Sequence, residues 1–299
     1  VCSSDLRKGW RYQERLWSFR IGIWIAAGWL RIVICGGVPM HTWPWAGKCV
    51  DGVAARALHW LVLLATAIFS HAAVGADVYA GPARAYKTFA AAVGAAQPGD
   101  RILLDPGVYT DDTAVTNVPL TIEGLGTGAV LRVTGPISNR KGIIVTNASL
   151  TVRNLTFDGA RVTASDGNNG AGIRHQAGDL TIDGSTFTNN QDGILVNPIA
   201  GATVTVANST FTGNGAGDGY THAIYVNEVA RFTVSNCAFN GTKVGHDIKS
   251  RALATTISNT YLDDGVSGTA SYAVDLPNGG VAVLDGLTVV QGKNSRNAI

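Results

Sequence analysis

The apolar positions of this chain do not follow a helical period. They recur as a short phrase: LTIEG (Leu120–Gly124), LTVRNLTF (Leu150–Phe157), LTIDGSTF (Leu180–Phe187), VTVANSTF (Val204–Phe211), FTVSNCAF (Phe232–Phe239), TTISNTYL (Thr255–Leu262) and AVLDGLTV (Ala282–Val289). Aligning them gives one column of Gly124, Asn154, Gly184, Asn208, Asn236, Asn259 and Gly286, at spacings of 30, 30, 24, 28, 23 and 27 residues. Gly and Asn most readily accept a left-handed backbone. Each phrase is therefore predicted as strand, left-handed corner, strand. Two residues before the corner stand Ile122, Val152, Ile182, Val206, Val234, Ile257 and Leu284. Three after it stand Phe157, Phe187, Phe211, Phe239, Leu262 and Val289. Both columns are expected in the core.

Between the phrases lies a second strand: GIIV (Gly142–Val145), GIRH (Gly172–His175), GILV (Gly193–Val196), AIYV (Ala223–Val226), DIKS (Asp247–Ser250) and AVDL (Ala273–Leu276). Setting Ile143, Ile173, Ile194, Ile224, Ile248 and Val274 inward turns the next residues outward, because side chains alternate along a strand. Those are Ile144, Arg174, Leu195, Tyr225, Lys249 and Asp275. Two further on stand Thr146, Gln176, Asn197, Asn227, Arg251 and Pro277. Lys141, Ala171, Asp192, His222, His246 and Tyr272 occupy the turn entering the strand, where alternation breaks. Two ladders are expected on one face: Tyr225–Lys249–Asp275 and His222–His246–Tyr272.

Strands every 21–30 residues without intervening helical pattern exclude a βαβ sheet and point to a solenoid. Before the first phrase, Tyr86–Ala96 carries Phe89, Ala92, Val93 and Ala96 on one helical face. GDRILLDPGVYT (Gly99–Thr110) follows as the entry to the first coil. From Asp77 to Ile299 the chain resembles the right-handed parallel β-helix of pectate-lyase-like exported proteins. GHDIKSRA and DLPNGG also resemble segments of exported β-helix proteins. The resemblance implies an all-β, right-handed parallel β-helix solenoid with a short N-terminal capping helix.

Composition divides the chain near residue 76. All seven Trp, three of four Cys and the single Met lie before that point, with 8 basic and 3 acidic residues. From Asp77 onward there are 15 Lys and Arg against 18 Asp and Glu. A mildly acidic domain gives no electrostatic case for nucleic acid. Leu58–Ser70 is an apolar run with basic Lys48 and Arg56 before it and Val74-Gly75-Ala76 after it, the pattern of a secretory signal peptide. The run is shorter than the roughly 20 residues a membrane span needs. The expected organisation is a leader without native structure (1–39), or else a separate N-terminal domain, then a signal peptide (40–76) and the β-helix (77–299). That β-helix is expected to be monomeric, secreted or periplasmic, and cut short at its C-terminus, with no membrane span after cleavage. Cys237 and His175 read as buried structural residues.

The candidate chemistry concentrates in Asp218–Gly280. Removing a proton alpha to a uronate carboxyl group needs a base and cations that stabilise the developing dianion. Lys249, Arg251, His246, His222 and Tyr225 suit that task, with Asp275, Tyr272, Asn227 and Asn278 as substrate-binding groups. The resemblance implies the same: lyases and epimerases on this fold use Lys, Arg, His and Tyr on such a surface. The expected partner is an acidic polysaccharide. No cofactor or metal is expected, since Asp263-Asp264 is the only nearby acidic doublet and reads as a turn. A hydrolase would need a carboxylate pair, and Asp275 has only Asp247 nearby. The alternative is a non-catalytic carbohydrate-binding or surface adhesion solenoid.

Overall fold

The computed structural model describes residues 75–293, 295, 298 and 299, together with the strands Arg20–Ala26 and Trp29–Cys35. Those two strands form an antiparallel pair within one unit, Val1–Ser70; a second unit spans His71–Ile299. Apart from that pair and residues 75 and 76, the expected leader and signal peptide (1–39 and 40–76) lie outside the described residues. No helix among the described residues is long and apolar enough to cross a membrane.

The second unit is a right-handed parallel β-solenoid of about 8 turns. Three parallel sheets of nine, eight and seven strands run its length. Every strand pairs with the equivalent strands one coil away, as the repeat demands. The first sheet carries the LTI-type strands, Leu120–Gly124 through Val281–Asp285. The second carries the post-corner strands, Leu155–Asp158 through Thr288–Val290. The third runs from Ala114–Thr116 through Gly142–Thr146, Ala171–His175, Asp192–Val196, Ile224–Val226 and His246–Ser250 to Tyr272–Asp275.

Six of the seven expected corners are left-handed, with φ between 47° at Asn259 and 65° at Gly286. Gly124 is the exception and stays in its strand. A Cβ there would lie 2.2 Å from the Asn154 carbonyl oxygen, and the left-handed residues of that turn are Gly126 and Gly128. The corner Asn side chains tie coils together: Asn154 Nδ2 donates to Gly124 O at 2.7 Å, and Asn208 Nδ2 to Asp183 Oδ1 at 2.7 Å.

Behind the corners, Phe157, Phe187, Phe211 and Phe239 stack face to face, with successive ring centroids 4.9, 4.8 and 4.6 Å apart. Leu131 and Leu262 continue the column in register. The coil spacing of about 4.8 Å suits offset aromatic stacking, so one residue type repeated at one position fills the core. A second interior ladder is polar. Asn190 Nδ2 donates to Phe157 O and to Asn214 Oδ1, and Asn214 Nδ2 donates to Phe187 O.

The helix forms over Phe89–Ala95, shorter than the expected Tyr86–Ala96, because Thr88 is an extended N-cap whose hydroxyl accepts from Ala91 N. The Asp112 carboxylate accepts from the N–H groups of Phe89 and Ala90 and so satisfies two free donors of the first turn. Phe89, Ala92 and Val93 are buried in the same apolar cluster as the first coils.

The register of the third sheet corrects one alignment. Ile173 pairs with Ile144, not Ile143, and His175 with Thr146. Val145 therefore belongs to the column of Arg174, and Asn147 to that of Gln176, whose Nε2 donates to Asn147 Oδ1. Thr146 is fully buried instead of outward, and exposed Lys141 drops out of the column of His222. The one-residue offset has a physical origin. Two consecutive positions face inward at the start of these strands: a Cβ on Gly172 would meet Phe187 Cδ1 at 3.0 Å, and one on Gly193 would meet Phe211 Cδ1 at 3.2 Å. The neighbouring Ile173 and Ile194 are also fully buried.

Candidate functional site

The phase break sets the site. In the coil containing His246–Ser250, the two consecutive inward residues are Asp247 and Ile248, both fully buried. His246 and Lys249 flank them and emerge on the outer side of the sheet. In register, Tyr225 pairs with Lys249, Lys249 with Asp275, and His246 with Tyr272. Both expected ladders are therefore present.

The two histidines stack at 4.6 Å between centroids, with 25° between ring planes. Tyr225 meets the edge of His222 at 5.3 Å, and Tyr272 that of His246 at 5.1 Å, both T-shaped. His222 is 1% exposed and His246 8%. Asp275 Oδ2 lies 3.2 Å from His246 Nδ1, off the line of a hydrogen bond, and 3.6 Å from Lys249 Nζ. Lys249 Nζ also sits 5.3 Å from the centre of the Tyr225 ring, within cation–π range.

Backbone contacts fix the His222 imidazole. The His246 N–H donates to His222 Nδ1 at 3.0 Å. That nitrogen must be unprotonated, so the ring carries its proton on Nε2. Asp192 Oδ1 in turn accepts the His222 backbone N–H at 2.8 Å. Burial, aided by the nearby charges of His246 and Lys249, lowers the His222 pKa to about 2. Burial also lowers His246, to about 4, with Lys249 acting the same way and Asp275 opposing. Both rings are neutral at neutral pH, and they differ in environment: His222 Nδ1 receives a backbone donor, whereas His246 Nδ1 faces a carboxylate.

Arg251 borders the cluster. Its Nε donates to the Tyr225 hydroxyl at 3.1 Å, and its Nη1 donates to Asn278 Oδ1. Asn278 Nδ2 donates to Glu228 Oε1 at 3.3 Å. Asn227 turns away to the Val196 carbonyl, so its amide is engaged in the solenoid. Of the nine expected residues, His222, His246, Lys249, Tyr225, Tyr272, Asp275, Arg251 and Asn278 form one connected set.

Sequence reasoning missed Asp192 and Glu228. Asp192 stands in the column of His222 and His246, and burial raises its pKa to about 7, opposed by the His222 N–H and the Arg174 charge. Its place in that column was the available signal. Glu228 follows Asn227 in the loop and had none. Asp247 is not beside Asp275. It faces the interior, where Thr242 Oγ1 donates to it at 2.6 Å. Its pKa is raised well above the usual carboxylate value by burial and by Asp264. The doublet splits by role: Asp263 Oδ1 accepts the Gly265 N–H of a turn, while Asp264 is buried and raised to about 6. His175 is fully buried with Nε2 2.9 Å from Gly178 O, and burial raises the thiol of buried Cys237 to about 11. Among the described residues, no group of three His, Cys, Asp or Glu side chains is placed to hold a metal ion.

A family model described as right handed beta helix region matches residues 141–295, more than half of the chain. No curated protein and no solved structure matches the chain. The matched segment covers the coils that carry every residue of the candidate site. On its repeat, its parallel register and this match, the protein belongs to the right handed beta helix region family.

Proposed function

We propose that this protein is an exported polysaccharide-active enzyme, a lyase or epimerase that acts on an acidic, uronate-containing polymer. One observation carries the reading: two stacked neutral imidazoles whose Nδ1 atoms face opposite partners, a backbone N–H at His222 and the Asp275 carboxylate at His246. A carboxylate facing Nδ1 favours the proton on that nitrogen and leaves Nε2 as an acceptor. His246 is then the base that removes the proton alpha to the uronate carboxyl group. His222, with its proton on Nε2, is a neutral donor.

The remaining groups supply charge and an acid. Lys249, an ion-paired cation, and Arg251 stabilise the carboxylate dianion that develops as the proton leaves. The Tyr225 hydroxyl accepts from Arg251 Nε, which leaves its own proton free to be donated to the departing glycosidic oxygen in a lyase. In an epimerase His246 keeps the proton it removed, and the Tyr225 hydroxyl gives its own proton to the same carbon from the opposite face.

The test is ultraviolet absorbance of unsaturated uronate products, with NMR of the sugar products, on alginate, pectate and glycosaminoglycans. Turnover is expected on at least one polymer, and Lys249→Ala should remove it without changing the circular dichroism spectrum. Binding without an unsaturated or epimerised product would overturn the enzyme reading in favour of a carbohydrate-binding solenoid. Unchanged turnover in Lys249→Ala would remove this site from the reaction.

A further inference from the structure

Beyond Arg251, on the turn that leads from the third sheet to the first, lies an open groove of about 540 Å³. Its walls are apolar: Pro198, Ala200, Val229, Ala230, Ala252 and Leu253. Leu253, 73% exposed, presents its side chain to the groove opening. One end of the groove is polar and is closed by the chain Arg251–Asn278–Glu228 already described. Arg251 is thus a wall shared by the groove and the His246–Lys249 cluster, because its Nε reaches the Tyr225 hydroxyl.

The lining selects an occupant. The Glu228 carboxylate lines the groove, so a second uronate carboxylate placed there meets a like charge. None of the lining residues is aromatic, so flat stacking of a sugar ring is not the basis of binding. What the groove offers is a methyl-sized apolar wall beside one acceptor and one donor. An acetamido group presents the complement: a methyl, an N–H for Glu228 and a carbonyl for Arg251. The volume accommodates one sugar unit bearing that group.

We infer that the groove is a subsite for an uncharged N-acetylhexosamine unit, so that the substrate is a polymer alternating uronate with N-acetylhexosamine. The inference rests on the reading of the Lys249 face as a uronate site, to which the groove is joined through Arg251.

Affinity separates the two claims. Calorimetric titration of the Lys249→Ala protein compares two tetrasaccharides of equal length, one alternating glucuronate and N-acetylglucosamine, the other uronate only. The alternating one is expected to bind at least about tenfold more tightly, since acceptor, donor and methyl are all matched. Leu253→Asn, which removes the apolar wall on an exposed side chain without adding charge, and Ala230→Leu, which fills the groove, should each bring the two affinities to within about twofold of one another. Equal binding, tighter binding of the all-uronate chain, binding of neither, or a preference that survives both substitutions would overturn the inference. An acetamido preference without turnover on any polymer would retain the subsite and defeat the enzyme reading. Equal turnover on both polymers with no preference would do the reverse.

Discussion

His222→Gln offers a quantitative test of the neutral imidazole. Its pKa is about 2 in the folded chain against 6.5 for the free side chain, chiefly through burial. The folded value is depressed, so the unfolded chain binds more protons between the two values, and stability is lost as pH falls below about 6.5. At about pH 5 the gap is roughly 1.5 units, which at about 1.4 kcal/mol per unit is about 2 kcal/mol. Glutamine cannot titrate, and its side-chain carbonyl can still accept the His246 N–H that His222 Nδ1 now receives. The stability lost between about pH 7.5 and about pH 5 should therefore shrink by about 2 kcal/mol in His222→Gln, or several degrees in melting temperature for a domain this size. Urea midpoints at the two pH values measure it. Other groups titrate in the same range: His246 in the same direction, and Asp192 and Asp264, raised to about 7 and about 6, in the opposite one. They are present in both proteins, so the difference isolates His222. An identical loss in parent and variant would refute the assignment, as would an NMR spectrum with the His222 proton on Nδ1.

Asp247→Asn should raise stability at about pH 7.5 by at least about 1 kcal/mol, because Asp247 Oδ2 and Asp264 Oδ1 are buried without hydrogen-bond partners and the acid must be held protonated. The gain should fade as pH drops toward about 4, and thermal melts across that range check it. Phe211→Ala should cost about 3–5 kcal/mol in chemical denaturation, since it removes a fully buried ring stacked on both sides.

The fold was readable because a solenoid writes its core as vertical columns. Asn208, Asn236 and Asn259 recur at the corner, and Phe157, Phe187, Phe211 and Phe239 three residues on, so alignment alone places them in contact. The Tyr225–Lys249–Asp275 ladder follows from the same arithmetic. Failures occurred where the period is locally broken. In GIIV both Ile143 and Ile144 are buried, so strict alternation cannot tell which of them pairs with Ile173. Asp247, expected near Asp275, instead occupies the column of Gly172, Gly193, Ala223 and Ala273, which faces the phenylalanine stack. Glu228 and the apolar groove belong to turns, whose geometry no repeat specifies.

That local break also accounts for the position of the chemistry. In a regular strand, outward residues are two apart and one coil height from their neighbours. Two successive inward residues place His246 and Lys249 three apart, on either side of the Asp275 carboxylate one coil on, which both reach within 3.6 Å. The arrangement depends on side chains small enough to lie against the phenylalanine stack. A Cβ at Gly193 would already sit 2.4 Å from Ala223 O, immediately beneath His222. The interior column and the outer site are thus coupled through the backbone of one short strand. A bulky residue at buried Ala223 or Ala273 would displace the adjoining His222 or Tyr272. The site is legible as residue types on a face, but its geometry is set by the residues behind that face.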